Sequence, residues 1–92
     1  MISIYKYTVY GNGVLNRITC RRKKLLDIQE QNGELVCWME VDDDLPETTT
    51  ELVGLGTGWR MPKEDMYDLG YRKTVQDAAG FVWHFYEQLG LA

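Results

Sequence analysis

The stretch Leu25–Val41, LLDIQEQNGELVCWMEV, carries the strongest structural signal in the chain. Asn32-Gly33 is the preferred dipeptide of type I′ turns, because both central positions of that turn need a positive φ. Alternating residues on either side predict a β-hairpin with a two-residue loop, and such a loop fixes the strand register. The predicted pairs are Gln31 with Glu34, Ile28 with Cys37, and Leu26 with Met39.

This predicted hairpin has one apolar face and one mixed face. The apolar face comprises Leu26, Ile28, Leu35, Cys37, Met39 and Val41, and the other face comprises Asp27, Gln29, Val36, Trp38 and Glu40. Such alternation is typical of an antiparallel ribbon that packs one face on a core. Trp38 should therefore lie opposite the core face, which makes it a candidate contact for a partner protein.

The remaining chain also has the pattern of short strands. We predict them at Met1–Tyr10, Val14–Cys20, Thr48–Leu55, Leu69–Gln76 and Phe81–Gln88, the first two forming a hairpin around Gly11–Gly13. The last strand is bulky on both faces and should be central and covered on both sides. One short helix is possible near residues 62–69. The prediction is an all-β fold, a small antiparallel sandwich or barrel of six to seven strands.

Length and composition limit the classes of protein. The 92 residues predict a single β domain over residues 1–92, and 45% hydrophobic residues are enough for a core. A net charge of −4 argues against general nucleic-acid binding and is compatible with a basic partner surface. Cys20 and Cys37 have no metal-like spacing, which favours reduced thiols. With no apolar run of membrane length and no signal-peptide pattern, we expect a cytoplasmic protein that does not enter a membrane.

A basic run and an acidic run flank the predicted hairpin. Arg21–Lys24 precedes it and Asp42–Asp44 follows it. The predicted register places Lys24 opposite Val41, so the two runs should lie side by side and neutralise one another. The alternative is that Arg21 and Arg22 contribute to the binding of an anionic ligand.

The segment Gly54–Arg60, GLGTGWR, superficially resembles a phosphate-binding loop. It lacks the Gly-Lys-Ser/Thr ending and the following long helix of known phosphate loops. The backbone of Gly56, Thr57 and Gly58 could still present N–H groups to an anion, while Trp59 and Arg60 could stack on a base or on a partner aromatic residue. The alternative is a glycine-kinked strand that runs into an ordered loop.

Residues suited to catalysis are sparse. His84 is the only histidine, and its place between Trp83 and Phe85 in a strand favours a structural role. Glu64, Asp65 and Asp68 fit a solvated surface, and no cluster has metal-ligand spacing, so we expect neither a metal nor another cofactor. Tyr5 and Tyr7 fit a core or a subunit interface. The sequence therefore predicts that the protein is not an enzyme.

Four motifs resemble, in their order and spacing, a family of small, uncharacterised bacteriophage proteins. They are Ile4-Tyr5-Lys6-Tyr7 in the first strand, the Asn-Gly hairpin with Trp38, the segment Val53–Gly58, and the last strand Phe81–Glu87. The resemblance covers Ile4–Glu87, with a basic Cys20–Lys24 segment where the family usually has Met-Pro-x-Gly-Ala. It implies an origin and no catalytic residue, since the family has no assigned activity.

Together these features predict a phage-encoded, non-enzymatic binding protein that acts on a host protein in the host cytoplasm. Its contact residues would be Trp38, Trp59 and Arg60. One alternative is an oligomeric sponge for a nucleotide signal, which would combine the Gly54–Arg60 loop with Arg21–Lys24 at a subunit interface. Another is a minor virion or assembly component.

Overall fold

The computed structural model describes residues 1–90. Its seven strands are β1 (Ile2–Val9), β2 (Leu15–Cys20), β3 (Arg22–Gln31), β4 (Glu34–Asp42), β5 (Thr48–Gly56), β6 (Leu69–Gln76) and β7 (Val82–Gln88). A four-residue 3-10 helix, Lys63–Met66, follows Pro62 at the position where a short helix was predicted. No helix within these 90 residues is long and apolar enough to cross a membrane.

The strands form two antiparallel sheets, with the order β1-β4-β3 in one and β2-β5-β7-β6 in the other. Their inner faces enclose one core, and the sheets do not close into a barrel. The predicted all-β fold, a sandwich or barrel of six to seven strands, is therefore confirmed, and it is the sandwich. The buried apolar residues are Val9, Ile18, Cys20, Ile28, Leu35, Val36, Cys37, Met39, Val41, Leu52, Trp83 and Phe85.

The β3–β4 hairpin has the predicted turn and, near the turn, the predicted register. Asn32 and Gly33 have φ of 52° and 90°, and Gln31 pairs with Glu34 and Ile28 with Cys37. The predicted pair of Leu26 with Met39 is wrong, since Leu25 lies opposite Met39. A β-bulge at Leu26 adds one residue to β3, so Leu26 is left unpaired and exposed.

A second irregularity in β3 lies between Arg22 and Lys24 and places Arg22, not Lys24, opposite Val41. Because Val41 faces the core, Arg22 is directed between the sheets, where it donates to the carboxylate of Glu87. The ammonium group of Lys23 forms an ion pair with the carboxylate of Glu40. The basic run and the acidic run do lie side by side, as predicted, since the Asp42 N–H donates to the Arg21 carbonyl at 2.9 Å. Within residues 1–90, however, no ion pair joins their side chains, so the predicted mutual neutralisation does not occur through direct contacts.

The opening segment does not form the predicted hairpin. The strands are present, but β1 pairs with β4 and β2 pairs with β5 in the other sheet. The connection crosses the end of the sandwich, where Gly11 lies so close to Trp83 that a Cβ would be 2.7 Å from its ring. Asn16 fixes this crossing, because its amide accepts from the Tyr10 N–H and donates to the carbonyls of Tyr10 and Leu52.

Strand β7 is central, as predicted, but only its inner face is fully covered. Trp83, Phe85 and Glu87 are buried on the inner face, whereas Val82, His84 and Tyr86 are half-buried on the outer face. No strand within residues 1–90 packs on the outer side of this sheet, but Met61 and Met66 lie beside His84 and Tyr86 there. The prediction that both faces are covered is therefore correct for the inner face and only in part for the outer face.

Glu87 and Cys37 are ionisable groups buried in the core region. Burial opposes ionisation of Glu87, but hydrogen bonds from Arg22 and Arg72 outweigh it and lower the pKa of this carboxyl. Burial raises the pKa of Cys37 to about 11, so this free cysteine stays a thiol and packs as a small apolar side chain.

Candidate binding site around Trp59

The site begins with a tight turn at the end of β5. The Trp59 N–H donates to the Gly56 carbonyl at 3.2 Å, and Gly58 adopts a φ of 85°. A side chain is strained at that φ, which explains the glycine at position 58. The turn folds the chain back, so Trp59 returns to lie over the end of its own strand.

Trp59 packs where a side chain at position 56 would otherwise be. A Cβ on Gly56 would lie 2.5 Å from the indole Nε1 of Trp59, so only glycine leaves room for this ring. The indole also makes an edge-to-face contact with Trp83, with ring centroids 5.7 Å apart at 74°. The side chain is therefore fixed from two sides, yet it remains 42% exposed.

A groove of about 380 Å³ runs beside Trp59 on the outer face of the four-stranded sheet. Its floor is formed by Leu55, His84 and Tyr86, and its wall by Met61 and Met66 from the loop that contains the 3-10 helix. Tyr67, which ends this helix, is 70% exposed. We call Trp59, Arg60, Met61, Met66 and Tyr67 together the Trp59 surface.

A second groove of about 440 Å³ lies on the other side of Trp59. Phe81 and Val82 line it together with Trp83, and Phe81 is largely exposed beside the Trp83 ring. Trp59 therefore projects between two shallow grooves, of which the second is mainly apolar.

His84, on the floor of the first groove, is hydrogen-bonded through both ring nitrogens. Thr57 Oγ1 lies 2.7 Å from Nε2, and Thr74 Oγ1 lies 3.0 Å from Nδ1. The Thr74 hydroxyl continues the chain to the hydroxyl of Tyr71 at 2.7 Å. These two hydroxyl groups fix the orientation of the imidazole, and within residues 1–90 no carboxylate is hydrogen-bonded to it.

The three predicted partner-binding residues are divided between two faces. Trp59 and Arg60 are adjacent and exposed at the end of the four-stranded sheet. Trp38 is on the outer face of the three-stranded sheet, half-buried between Lys6 and Asp27, so its predicted position opposite the core face is found. One flat contact cannot include both tryptophans.

The predicted ligand-binding residues are also far apart. Arg22 binds Thr50 at the start of β5, whereas Gly56, Thr57 and Gly58 are at or beyond its end, about 20 Å away at the usual rise per strand residue. Arg21 donates to the Leu45 carbonyl at 2.7 Å, and Arg22 is held by Glu87. One copy of the chain therefore does not bring these residues into a single pocket.

A further cleft of about 410 Å³ lies at the end of the sandwich between the turns, next to Trp83. Its polar wall is Asp77, whose carboxylate accepts from the Trp83 indole N–H at 2.9 Å and from the backbone N–H groups of Ala79 and Phe81. The hydrogen bond from Trp83 is the largest of the influences that lower the pKa of Asp77. These bonds fix the β6–β7 turn and leave the carboxylate fully engaged.

In the part of the chain that the structure describes, no group of three or more His, Cys, Asp or Glu side chains could hold a metal ion.

Three residues of the two grooves, Met61, Met66 and Phe81, were not predicted from the sequence. The tryptophan and methionine side chains of the run Trp59–Pro62, WRMP, could have indicated a site, because they are apolar residues in a loop after a glycine-rich turn. The position of Phe81 in the second groove depends on how β7 pairs with its neighbours, and no nearby sequence feature indicates it.

Comparison with curated proteins and with solved structures finds no match to this chain. A family model described as "Domain of unknown function (DUF7352)" matches residues 1–90, which include both sheets and the Trp59 surface. The chain therefore belongs to the DUF7352 family.

Proposed function

We propose that the chain is a non-enzymatic binding protein that recognises another protein through the Trp59 surface. The observation that carries this proposal is Trp59 itself, which is held by Gly56 and Trp83 and is still 42% exposed. Arg60 lies beside it, exposed, and makes no ion pair within residues 1–90. Trp and Arg are the residues that most often dominate the energy of protein interfaces.

The fixed position of Trp59 favours tight binding, because a side chain that is already ordered loses little conformational entropy on association. Met61 and Met66 beside it have flexible, polarizable side chains that adapt to the shape of a partner. A rigid aromatic ridge with adaptable walls is suited to a partner that inserts an apolar side chain into each of the two grooves.

The extent of apolar surface favours a protein over a small molecule. Beyond the groove, the outer face of the four-stranded sheet continues through Leu15, Val53 and Tyr71, which are exposed or half-buried. A contiguous apolar area of this kind is typical of an interaction site. A binding role also agrees with His84, both of whose ring nitrogens are occupied by threonines.

The partner class follows from charge and from the motif resemblance. The net charge of −4 favours a partner with a basic surface. The ordered motifs that resemble bacteriophage proteins favour a bacterial host protein as the target and the host cytoplasm as the site of action.

Affinity capture from bacterial lysate, with bound proteins identified by mass spectrometry, tests the proposal. The tagged wild-type chain should retain a specific protein that Trp59→Ala loses and Trp38→Ala keeps. Circular dichroism confirms that each variant is folded. Equal recovery by all three chains, or recovery of nothing above a tag-only control, would refute the role of the Trp59 surface.

A further inference from the structure

The free edge of β1 differs from the other sheet edges of residues 1–90. Strands β3 and β6 contain bulges and several cations, and β2 has only six residues with Arg17 among them. These features protect edges against pairing with other chains. Strand β1 instead keeps eight uninterrupted pairs with β4 and contains one charge, Lys6.

The hydrogen-bond pattern shows which backbone groups β1 offers to a new strand. The Asp43 N–H donates to the Met1 carbonyl at 3.1 Å, in line with the neighbouring pair of Ile2 with Asp42. Because bonded and non-bonded pairs alternate in an antiparallel ladder, odd-numbered residues of β1 bond to β4. The N–H and C=O groups of Ile2, Ile4, Lys6 and Thr8 therefore point outward along the free edge.

The side chains along this edge are also exposed. Ile4 is 61% exposed and Ile2 about half exposed on the outer face, and Tyr5 is 52% exposed on the inner face although it lies opposite the buried Met39. Within residues 1–90 no strand pairs with this edge. An added strand would satisfy the outward backbone groups and cover these side chains in one step.

We propose that a second copy of this chain pairs antiparallel with β1, so that two three-stranded sheets join into one six-stranded sheet. If the inner faces of both copies lie on the same side of the six-stranded sheet, the twofold axis passes midway between the two copies of one residue. The hydrogen-bonded pairs must then join even-numbered residues.

An axis at Tyr5 is the register that this strand favours. It pairs Ile4 with Lys6 of the second copy and Ile2 with Thr8, over seven residues. An axis at Lys6 would place two lysines directly opposite one another, which is destabilising. An axis at Ile4 would shorten the overlap to five residues of the strand.

Charge complementarity supports the same register, in which Lys6 would add a second cation near Glu40 beside Lys23 and would leave its present acceptor, Gln31. Ile4 is also the neighbour of Glu40 on β4. The axis at Tyr5 therefore places Lys6 of one copy in the same cross-strand row as Glu40 of the other, with only Ile4 between them. Each dimer would contain this row twice.

Cysteine cross-linking tests the register. Tyr5→Cys places two thiols in a non-hydrogen-bonded pair about 4.5 Å apart at Cα, within disulfide range, so oxidation should convert it into a covalent dimer. Lys6→Cys is the matched control, because its two Cα atoms would be about 8 Å apart, beyond that range. Wild type, whose own cysteines are buried, should not cross-link. Equal cross-linking of the two variants, or none of Tyr5→Cys, would overturn the proposed register.

Light scattering of the native chain tests the dimer itself. Wild type should approach twice the 10.7 kDa of one chain as its concentration rises. Ile4→Pro should remain at the mass of one chain, because the proline removes an outward N–H and no bond to β4. Circular dichroism verifies that this variant is folded. A wild-type mass of one chain throughout, or a folded Ile4→Pro variant that still dimerises, would refute pairing through β1.

Discussion

At the scale of single residues, the Trp59 side chain determines which residue fits at position 56. The indole occupies the position that any side chain at residue 56 would need, with its Nε1 only 2.5 Å from an ideal Cβ. This explains a glycine near the end of a strand, where glycine is otherwise unfavourable. A candidate site and a structural constraint therefore depend on the same pair of residues.

Gly56→Ala should destabilise the domain by about 2 kcal/mol, because the new methyl group must displace a packed tryptophan. Urea denaturation measures the change. In a Trp59→Ala background the same substitution should cost much less, since the ring is no longer there. The same cost in both backgrounds would show that backbone geometry, and not Trp59, requires the glycine.

Glu87 should make the fold sensitive to acid. Its pKa is lowered in the folded state, so it stabilises the fold at pH values above the unfolded pKa of about 4.3, and this contribution is lost as pH falls through the lower folded pKa. Glu87→Gln should lose about 2 kcal/mol at pH 7 by weakening the bonds from Arg22 and Arg72. Its free energy of unfolding should vary less below pH 5 than that of wild type. Parallel pH profiles would contradict this role.

At the scale of elements, the β3–β4 register is predictable from the sequence between the turn and the bulge at Leu26, and it is not predictable beyond the bulge. The Asn32-Gly33 turn has a local signature, so the sequence correctly predicts the pairs nearest to it. A bulge has no comparable signature, and each inserted residue reverses the face of everything beyond it. The sequence therefore predicts the turn end of the hairpin correctly and misplaces Leu26 and Lys24.

Single-residue deletions in β3 should reveal the bulge in solution. Removal of the unpaired Leu26 keeps Asp27 opposite Trp38 and Leu25 opposite Met39, so it should cost about 1 kcal/mol or less. Removal of Gln29 instead turns the buried Ile28 to the outer face and should cost at least about 3 kcal/mol. Urea denaturation of both variants compares the costs. Equal losses would contradict the assigned register.

At the scale of the whole molecule, alternation and turn residues predict the sandwich but not the partition of strands between sheets. The β1–β2 segment has the local pattern of a hairpin, whereas its strands join different sheets through the Gly11–Gly13 crossing.

The candidate site also depends on contacts between residues that are distant in the sequence. Trp59 and Arg60 are recognisable in the sequence as candidate contact residues, but the groove needs Leu55, His84 and Met66, which only the folded chain brings together.

The two proposed contacts use different parts of the sandwich. The Trp59 surface lies on the four-stranded sheet and its following loop, and the β1 edge belongs to the three-stranded sheet. Loss of one should therefore leave the other intact. Ile4→Pro should still retain the captured partner, and Trp59→Ala should still dimerise.

The role of the Trp59 surface is tested most directly by the affinity of the captured partner for wild type, Trp59→Ala and Trp38→Ala, measured by calorimetry. A rigid, exposed tryptophan at the centre of a contact contributes at least about 2 kcal/mol, so Trp59→Ala should raise the Kd at least about 30-fold. Trp38→Ala, a tryptophan on the opposite face, should stay within a few-fold of wild type. A wild-type Kd for Trp59→Ala in a folded chain would contradict the assignment of the Trp59 surface as the recognition site.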